Sequence, residues 1–506
     1  YPLSSAQRRM YFLYEFDKDG TSYNMPAFYR VGRELDVSKL DKTFKELVSR
    51  HQVLRTVFEL SEGQPVQRVL DASTFEITYR QGSSAAIDSY VSEFVRPFNL
   101  AEDLPYRVSL IDISGEDYLL MIDTHHIIND GVSNEILTND FWSLYHGASL
   151  PDLSVEYVDY SVWQQSENYQ SLVSSHKDYW LDRYTEELTV LELPTDYSRS
   201  QIRSNEGGVH SITLSEEQSQ GLRKIAASEG VTMYTLFLGI YNVLLSKLSN
   251  QEDIVVGTPT AGRHHTDLEG VVGMFVNTLA LRNQVASGSS FKEFLTDLQV
   301  DTLMAFDHQL YQYEELVDAL DVSRDSSRNP LFDVFYSYGQ DKVTSIVSKS
   351  EELSIVGHDV GYDVAKFDLS LNVLDSEEIT LSLTYRTDLF SALSILKFSD
   401  YLNRVIDSVV DNKERLLKDI DILSVSEKDR LLLDLNDTDK AYDLNTTVLN
   451  KFMAQSFTCP DGIALVLGEE KLTYQELDVR SDLWARHLMN LGVVKGSIVG
   501  LMMTRS

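Results

Sequence analysis

The sequence predicts an α/β fold, because segments with the two-residue period of strands alternate with segments of helical period along most of the chain. Two of the strand-like segments, Tyr106–Ile113 and Asp117–His126, flank a Ser-Gly-Glu turn and predict a β-hairpin. A similar strand–turn–strand pattern recurs when Ser109–Asp130 is compared with Ser370–Ser391. This internal similarity favours two related lobes.

Apolar spacing and capping residues predict the helices. After Gly131, apolar side chains recur at helical spacing, namely Ile136, Leu137, Phe141, Leu144 and Tyr145. Thr232 is a suitable N-cap for the apolar run Met233–Leu248, which the strand-like segment Asp253–Pro259 follows. The segment Glu187–Ser200 is polar at its end and contains a proline, so it predicts a connector between the lobes.

The pattern changes after about residue 421. Asn436–Val448 is polar and rich in turn-forming residues, which indicates a linker, and a new helical pattern begins near Leu449. A final segment of about 55 residues that stops in an apolar strand is too short to bury a complete core. We therefore expect the start of a third, truncated domain. The chain begins without Met or a signal peptide, so we also expect a piece of a longer protein.

Charge and composition exclude several classes of protein. Lys and Arg total 44 against 78 Asp and Glu, a net charge of −34, whereas nucleic-acid binding needs a basic surface. No apolar run reaches the roughly 18 residues of a membrane span. The single cysteine allows neither an internal disulfide nor a cysteine-rich metal site. We expect a cytoplasmic protein that binds neither nucleic acid nor membranes.

Met121–Ile136 contains the group His125, His126, Asp130 and Gly131. Successive side chains of a strand point to opposite faces, so the two histidines cannot both face one cleft if the strand runs through residue 126. They therefore cannot chelate one metal ion from the strand, and we predict no metal site. One histidine should face the site while the other packs or supports the loop.

The two residues that follow leave alternatives open. Asp130 could orient His126, as in a catalytic triad, or it could cap a helix or pair with an arginine. The structural role is favoured, because aspartate is common at helix N-termini. Gly131 could supply an unhindered backbone or a positive φ where a substrate approaches. The sequence has neither a Gly-x-Ser-x-Gly elbow nor a phosphate loop, so a base without a protein nucleophile indicates direct transfer between two bound substrates.

The pattern His-His-x-x-x-Asp-Gly resembles the central motif of condensation domains from nonribosomal peptide synthetases. Segments similar to the family's other motifs occur in the expected order, at Ser4–Leu13, Arg50–Phe58, Tyr157–Trp163, Val272–Arg282, His308–Leu316 and Arg324–Tyr336. The resemblance covers residues 1 to about 420, and Leu472–Leu477 resembles the first motif of adenylation domains. Gln52, Thr124 and Leu310 depart from the usual Glu, Met and Asp.

The resemblance implies two chloramphenicol-acetyltransferase-like lobes, arranged as a V-shaped pseudo-dimer with a tunnel between them. We expect the N-terminal lobe at residues 1–180, the C-terminal lobe at 181–422, a linker at 423–448 and the N-terminal fragment of an adenylation domain at 449–506. That fragment lacks the loop that binds ATP phosphates, so we expect no adenylation activity.

The activity implied by the resemblance is peptide-bond formation. A donor acyl or peptidyl thioester would be transferred to the amine of an aminoacyl thioester, each held on the phosphopantetheine arm of a carrier protein. The expected partners are an upstream donor carrier, a downstream acceptor carrier and the adjoining adenylation domain. No covalently bound cofactor is expected. Because positioning of two reactants can contribute about 7–11 kcal/mol, we expect it to exceed the contribution of a base.

By the family pattern, His126 is the active-site histidine, while His125 and Asp130 are mainly structural. Arg263 is the expected partner of Asp130 across the lobes, and Asn277 is expected near the tunnel.

Other prominent residues have structural interpretations. Arg55 and Arg324 are expected to fix loops or lobes. Tyr157 and Trp163 are expected in the core, and His264–His265 at the surface.

Two alternatives to peptide-bond formation stay open. An epimerisation domain has the same fold and also contains His-His-x-x-x-Asp, but the first two motifs and the adenylation-like tail favour condensation. A silent docking module that recruits carriers would be expected to have lost the histidine motif. A heterocyclisation domain is disfavoured, because it replaces the histidine pair by aspartates.

Overall fold

The computed structural model describes residues 1–113, 115–186, 188–201, 203–322, 325, 327–340, 354–357 and 364–503. The chain divides into two compact units, Tyr1–Leu423 and Ser424–Ser506.

The strands, in chain order, are β1 Asn24–Val31, β2 Thr56–Ser61, β3 Gln64–Val69, β4 Thr78–Gly82, β5 Tyr106–Ile113, β6 Asp117–His125, β7 Gly207–Thr213, β8 Asp253–Thr260, β9 Asn277–Gln284, β10 Val334–Gln340, β11 Ile355–Gly357, β12 Leu369–Asp375, β13 Ile379–Arg386, β14 Ile463–Leu467 and β15 Glu470–Thr473. The α-helices are α1 Ser5–Phe16, α2 Val37–Arg50, α3 Ile87–Phe94, α4 Gly131–Tyr145, α5 Tyr157–Trp163, α6 Glu167–Arg183, α7 Glu216–Glu229, α8 Met233–Ser249, α9 Phe291–Asp307, α10 Tyr313–Ala319, α11 Ala392–Asp411, α12 Val425–Leu432, α13 Val448–Thr458 and α14 Tyr474–Asn490.

The first unit contains two large sheets with a common arrangement. Their strand orders are β11-β1-β6-β5-β4 and β7-β13-β12-β10-β8-β9. In the first sheet β6 lies antiparallel between β1 and β5, and β4 runs parallel to β5. In the second sheet β13 lies antiparallel between β7 and β12, and β10 runs parallel to β12. The predicted α/β fold with two related lobes is therefore confirmed.

The predicted hairpin at residues 106–126 forms as β5 and β6, and its second copy forms as β12 and β13. His125 is the last residue of β6, and Arg386, its counterpart in the comparison of the two copies, is the last residue of β13. Thr232 caps α8 as expected, with its hydroxyl oxygen accepting the N–H of Thr235 at 3.1 Å. The predicted strand that follows is β8.

Each sheet is covered by helices that bury apolar side chains. α8 is buried around most of its circumference, in keeping with its apolar sequence, and Leu236, Phe237 and Leu244 are fully buried. Burying such a side chain contributes about 1.5–3 kcal/mol. α6 lies in the range expected for the N-terminal lobe, but its buried residues pack in the core of the second sheet.

Two segments from the second half of the chain reach the first sheet. β11 pairs with β1 at its edge, joining Tyr29 to Gly357. The loop between β8 and β9, residues 261–276, inserts apolar side chains into the core of the first lobe, including Val272 and Phe275. We call this segment the crossing loop. It brings residues of the second lobe to the end of β6.

The second unit contains α12–α14 and the hairpin β14–β15. No apolar side chain of its described residues is buried, and Phe457 and Ile498 are almost fully exposed. This unit therefore lacks a hydrophobic core in the part of the chain that the structure describes.

No single helix among the described residues is long and apolar enough to cross a membrane; α7 and α8 meet that test only as a pair bent by 109°.

Candidate active site

The histidine pair lies where β6 ends. The residues that precede the neighbouring strands β5 and β1 hold its backbone: the N–H of His125 donates to the carbonyl of Pro105 at 2.9 Å, and the N–H of His126 donates to that of Tyr23 at 2.8 Å. The strand stops one residue earlier than expected, and His126 begins a 3-10 turn that ends at Ile128. The two rings therefore occupy different environments.

The His125 ring is packed inside the lobe. Its edge contacts are with Tyr14 and Phe98, at ring-centre distances of 6.4 and 5.9 Å, and its Nδ1 accepts the N–H of Ile127 at 3.1 Å. Burial, followed by the positive charge that His126 carries when it is protonated at low pH, lowers the pKa of His125 to about 3. The ring is neutral at physiological pH, which fits the expected structural role.

This buried neutral histidine should make the fold sensitive to acid. The unfolded chain binds a proton at His125 below about pH 6.5, whereas the folded chain does so only near the lowered pKa. We expect His125 to account for about 2 kcal/mol of the loss in unfolding free energy between pH 7 and pH 5. The variant His125→Asn keeps an acceptor for the N–H of Ile127. Its loss in unfolding free energy between pH 7 and pH 5, measured by urea unfolding, should be smaller than that of the wild type by about 2 kcal/mol. An exposed-site variant, His265→Asn, should behave like wild type; equal losses in all three proteins would contradict the prediction.

His126 has the features of a proton acceptor. Its Nδ1 lies 2.8 Å from the carbonyl oxygen of Asn129, which can only accept, so Nδ1 carries the proton and Nε2 keeps its lone pair. The ring is partly exposed. Burial, followed by the positive charge of Lys366, lowers the pKa of His126 to about 4, so the ring is neutral near pH 7.

Asp130 is fully used by structural contacts. It caps α4 by accepting the N–H of Ser133 at 2.8 Å, and it accepts the N–H of Phe275 at 3.0 Å. Arg263 adds a bidentate ion pair with nitrogen–oxygen distances of 3.0 and 3.1 Å. Four donors occupy the capacity of the two carboxylate oxygens, so the carboxylate does not orient His126. The structure thus brings Asp130 and Arg263 together, as the sequence led us to expect.

Arg263 reaches Asp130 because the crossing loop lies very close to the first lobe. Gly262 has a φ of +65°, and a Cβ there would lie 1.9 Å from the carbonyl oxygen of Phe275. A Cβ on Gly273 would lie 1.8 Å from the ring of Tyr157. The Arg263 guanidinium also lies 4.3 Å from the centre of the Phe275 ring.

Gly131 is the first residue of α4 and is exposed. Its φ is not positive, and no atom lies within 4 Å of where a Cβ would be. Of the two interpretations of this glycine, the unhindered backbone therefore agrees with the structure and the positive φ does not.

Both the NH₂ group and the oxygen of the Asn277 side chain form hydrogen bonds to backbone groups. Its NH₂ group donates to two carbonyls and its oxygen accepts two N–H groups, at Gln309, Tyr311, Thr278 and Tyr313. It fixes the turn before α10, and its proximity to a tunnel stays a prediction.

Arg55 donates from Nη1 to the carbonyl of Leu70, which supports its interpretation as a loop-fixing residue. Arg324 lies outside the described residues.

The aromatic residues of α5 differ from each other. Tyr157 is buried and its hydroxyl contacts Ser4 and the carbonyl of Met274. The expectation that Trp163 is in the core was wrong, since it is 37% exposed and stacks on the half-buried ring of His264. Tyr157 and Trp163 are six residues apart, which places their side chains about 240° apart around the helix axis, on different faces.

Lys366 is a site residue that sequence reasoning missed. It precedes β12 in the second lobe, and its Nζ lies 5.0 Å from the centre of the Tyr23 ring. Its positive charge lowers the pKa of both histidines. A lysine in front of a buried strand has no sequence signature of function.

Comparisons with known proteins identify the family of the chain. A family model described as the condensation domain matches residues 1–432. Gramicidin S synthase 2 from Aneurinibacillus migulanus is 40% identical over 512 residues, covering 100% of this chain and 11% of that protein. Tyrocidine synthase 3 from Brevibacillus parabrevis is 40% identical over 507 residues, covering 100% and 8%. The chain thus spans a small part of the length of these relatives.

Solved structures share the fold. A four-domain nonribosomal peptide synthetase bound to AMP and glycine matches with a TM-score of 0.77 at 22% identity, over 98% of this chain and 39% of that one. The X-domain in complex with OxyB from teicoplanin biosynthesis matches with a TM-score of 0.75 at 23% identity, over 84% and 96%. Together with the match over most of the sequence, these likenesses mean that the chain belongs to the condensation-domain family of nonribosomal peptide synthetases.

Proposed function

We propose that this chain forms an amide bond between two thioester-bound substrates, a donor acyl or peptidyl group and an acceptor aminoacyl group. The observation that carries the proposal is the state of His126. It is neutral and partly exposed, and its Nδ1–H is held by Asn129 so that Nε2 is free to accept a proton. Membership of the condensation-domain family supports acyl transfer as the reaction class.

The pKa of His126 limits what it can do. An α-ammonium group has a pKa of about 8, so moving its proton to a histidine with a pKa of about 4 costs about 5 kcal/mol. The acceptor amine must therefore arrive neutral. Nε2 then accepts a hydrogen bond from the amine N–H and holds the nitrogen lone pair towards the donor carbonyl. His126 therefore first orients the amine, and it acts as a base only after the nitrogen has bonded to the carbonyl carbon.

The reaction then proceeds by addition and elimination. The amine nitrogen bonds to the donor carbonyl carbon, and the carbonyl π electrons move to oxygen. The nitrogen, now positive, is far more acidic and gives a proton to His126. The carbonyl re-forms as the carbon–sulfur bond breaks, and the proton passes to the leaving sulfur. The products are an amide on the acceptor arm and a free thiol on the donor arm.

The proposed partners follow from this chemistry. Both thioesters would be held on phosphopantetheine arms of carrier proteins, one upstream and one downstream. We also propose that residues 449–506 begin an adenylation domain, which follows residues 1–422 in the chain. The likeness to the four-domain synthetase, which covers 98% of this chain, supports an extension of the shared fold into that segment.

A docking module without catalysis is the second candidate, because an X-domain in complex with OxyB shares this fold. The arrangement around His126 favours catalysis, since a docking surface needs neither a free Nε2 nor a fixed tautomer.

The test is a condensation assay with the purified chain and two separately loaded carrier proteins, followed by intact-mass spectrometry. Dipeptide on the acceptor carrier and loss of acyl mass from the donor carrier are expected. If both carriers bind but stay loaded over a panel of aminoacyl pairs, the docking module becomes the better interpretation.

A further inference from the structure

Arg203 has an unusual environment close to the histidine site. Its Nη1 donates to the side-chain oxygen of Asn329 at 2.6 Å, but Nε and Nη2 are buried and have no hydrogen-bond partner among the described residues. The Asn329 NH₂ group in turn donates to the backbone carbonyl of Lys366 at 3.5 Å. Lys366 faces Tyr23, whose carbonyl holds the backbone of His126. A chain of contacts thus connects Arg203 to the site.

Lys366 also lacks an anionic partner in the described part of the chain, since no carboxylate lies within ion-pair distance of its Nζ. Burial, followed by the positive charge of Arg9, lowers the pKa of Lys366 to about 8. Arg9 is itself paired with Glu314 at 2.7 Å. Two half-buried cations without a carboxylate partner among the described residues therefore lie beside the site, in a chain whose net charge is −34.

The acidic groups nearest to Arg203 are already in use. Asp368 accepts hydrogen bonds from Arg199 and Arg386. Asp333 accepts one from Arg328. Both carboxylates favour the charged form of Arg203, but burial, followed by the positive charge of Arg386, outweighs them and lowers the pKa of Arg203.

Arg386 shows what a structural arginine looks like in this fold. It is fully buried, and Nε and Nη2 bind Asp388 at 2.9 and 2.6 Å while Nη1 binds Asp368 at 3.1 Å. Every nitrogen of Arg386 has a partner, whereas two of the three nitrogens of Arg203 have none.

The two unpartnered atoms of Arg203 form the side of the guanidinium that binds a carboxylate with two parallel hydrogen bonds. The same pair of atoms is used elsewhere in this chain. Arg30 binds Asp117 through Nε at 2.6 Å and Nη2 at 3.0 Å, and Arg68 binds Glu59 at 3.0 Å through both atoms. A planar, bidentate anion is therefore the ligand that this arrangement fits.

We propose that Arg203 and Lys366 form an anion-binding subsite beside His126, which receives a carboxylate on the side chain of one of the two condensing substrates. The inference deepens the proposed function and rests on it for the identity of the ligand as a substrate. It assigns this chain an acidic aminoacyl substrate, aspartyl or glutamyl in type.

Binding can be tested without turnover. The probes are pantetheine amides of aspartate and of asparagine, in which a stable amide replaces the thioester, with calorimetric Kd values measured for the full chain. We expect the aspartyl probe to bind about 10–100-fold more tightly than the asparaginyl probe, because hydrogen bonds between charged groups contribute about that factor to affinity. Arg203→Gln and Lys366→Met should each remove most of this preference. Arg223→Gln, at an exposed ion pair with Asp375, should retain it.

Equal affinity for the two probes in the wild-type chain, or a preference that survives Arg203→Gln, would overturn the subsite.

Thermal unfolding tests whether Arg203 has a merely structural role. Arg203→Gln should retain the wild-type Tm, because it removes an unpaired charge, whereas Arg386→Gln should lower the Tm. A drop in Tm for Arg203→Gln as large as that for Arg386→Gln would make Arg203 structural and contradict the proposal.

Turnover distinguishes the two substrate positions. Aspartyl and asparaginyl groups are loaded in turn on the donor carrier and on the acceptor carrier. If the aspartyl group condenses faster at one of these two positions, and Arg203→Gln removes the difference, that position is the one whose side chain binds the subsite. If Arg203→Gln slows acidic and neutral substrates equally, the cations stabilise charge in the reaction itself, and the side-chain subsite is wrong. If no pair condenses while the Kd preference is present, the proposed function fails and the anion site stands.

Discussion

Replacing His126 by alanine should lower the rate of dipeptide formation by about 10²–10⁴-fold and leave turnover that can still be measured. In the proposed mechanism, the variant loses the acceptor for the amine proton but keeps the two lobes, which would still position the amine and the thioester. Single-turnover kinetics, with product followed by intact mass on the acceptor carrier, measures the rate directly. Circular dichroism verifies that the fold is retained.

A matched control is available in His265→Ala, since His265 is exposed and pairs with Asp267 at 3.4 Å. It should retain the wild-type rate. An unchanged rate in His126→Ala would remove this residue from the reaction. Complete loss with an intact fold would instead argue that removal of the proton by His126 is obligatory.

The pH dependence of the same assay tests the state of His126. With a pKa of about 4, the histidine is neutral from pH 5.5 upwards and adds no inflection of its own in that range. The rate should rise with pH through the pKa of the acceptor amine and then level off. An inflection near pH 6.5 that disappears in His126→Ala would contradict the lowered pKa.

Local features of this fold could be predicted from the sequence. The hairpin of β5 and β6 was predicted to within one residue, because alternating apolar residues and a short turn determine it locally. The cap at Thr232 is local in the same way. The early end of β6 is not visible in the apolar alternation, which continues through His126, whereas the structure begins a 3-10 turn there.

Features that join distant parts of the chain were harder to predict. The Asp130–Arg263 pair was anticipated only through the resemblance to a family, since 133 residues separate the partners. Lys366 was missed because its proximity to His126 arises from the packing of the two lobes. The pairing of β11 with β1 joins residues more than 300 positions apart, and no local pattern in a three-residue strand indicates it.

The second large effect is expected at the ion pair between Asp130 and Arg263. Both side chains are almost completely buried, so Arg263→Ala leaves a buried carboxylate without its counter-ion and should lower the free energy of unfolding by about 3–5 kcal/mol. Asp130→Ala should cost at least as much, because the N–H groups of Ser133 and Phe275 also lose their acceptor. Urea unfolding followed by tryptophan fluorescence measures both changes.

The double variant separates the charge pair from the helix cap. In Asp130→Ala, Arg263 is an unpaired buried cation, so adding Arg263→Ala should restore part of the lost stability instead of lowering it further. The exposed pair Arg68–Glu59 provides the comparison, where each single substitution should cost less than about 1 kcal/mol. If the two substitutions at the buried pair are additive, the charges contribute independently, and the cap of α4 is the main role of Asp130. If they are strongly non-additive, this ion pair holds the crossing loop to the start of α4, so that the two lobes depend on each other close to His126.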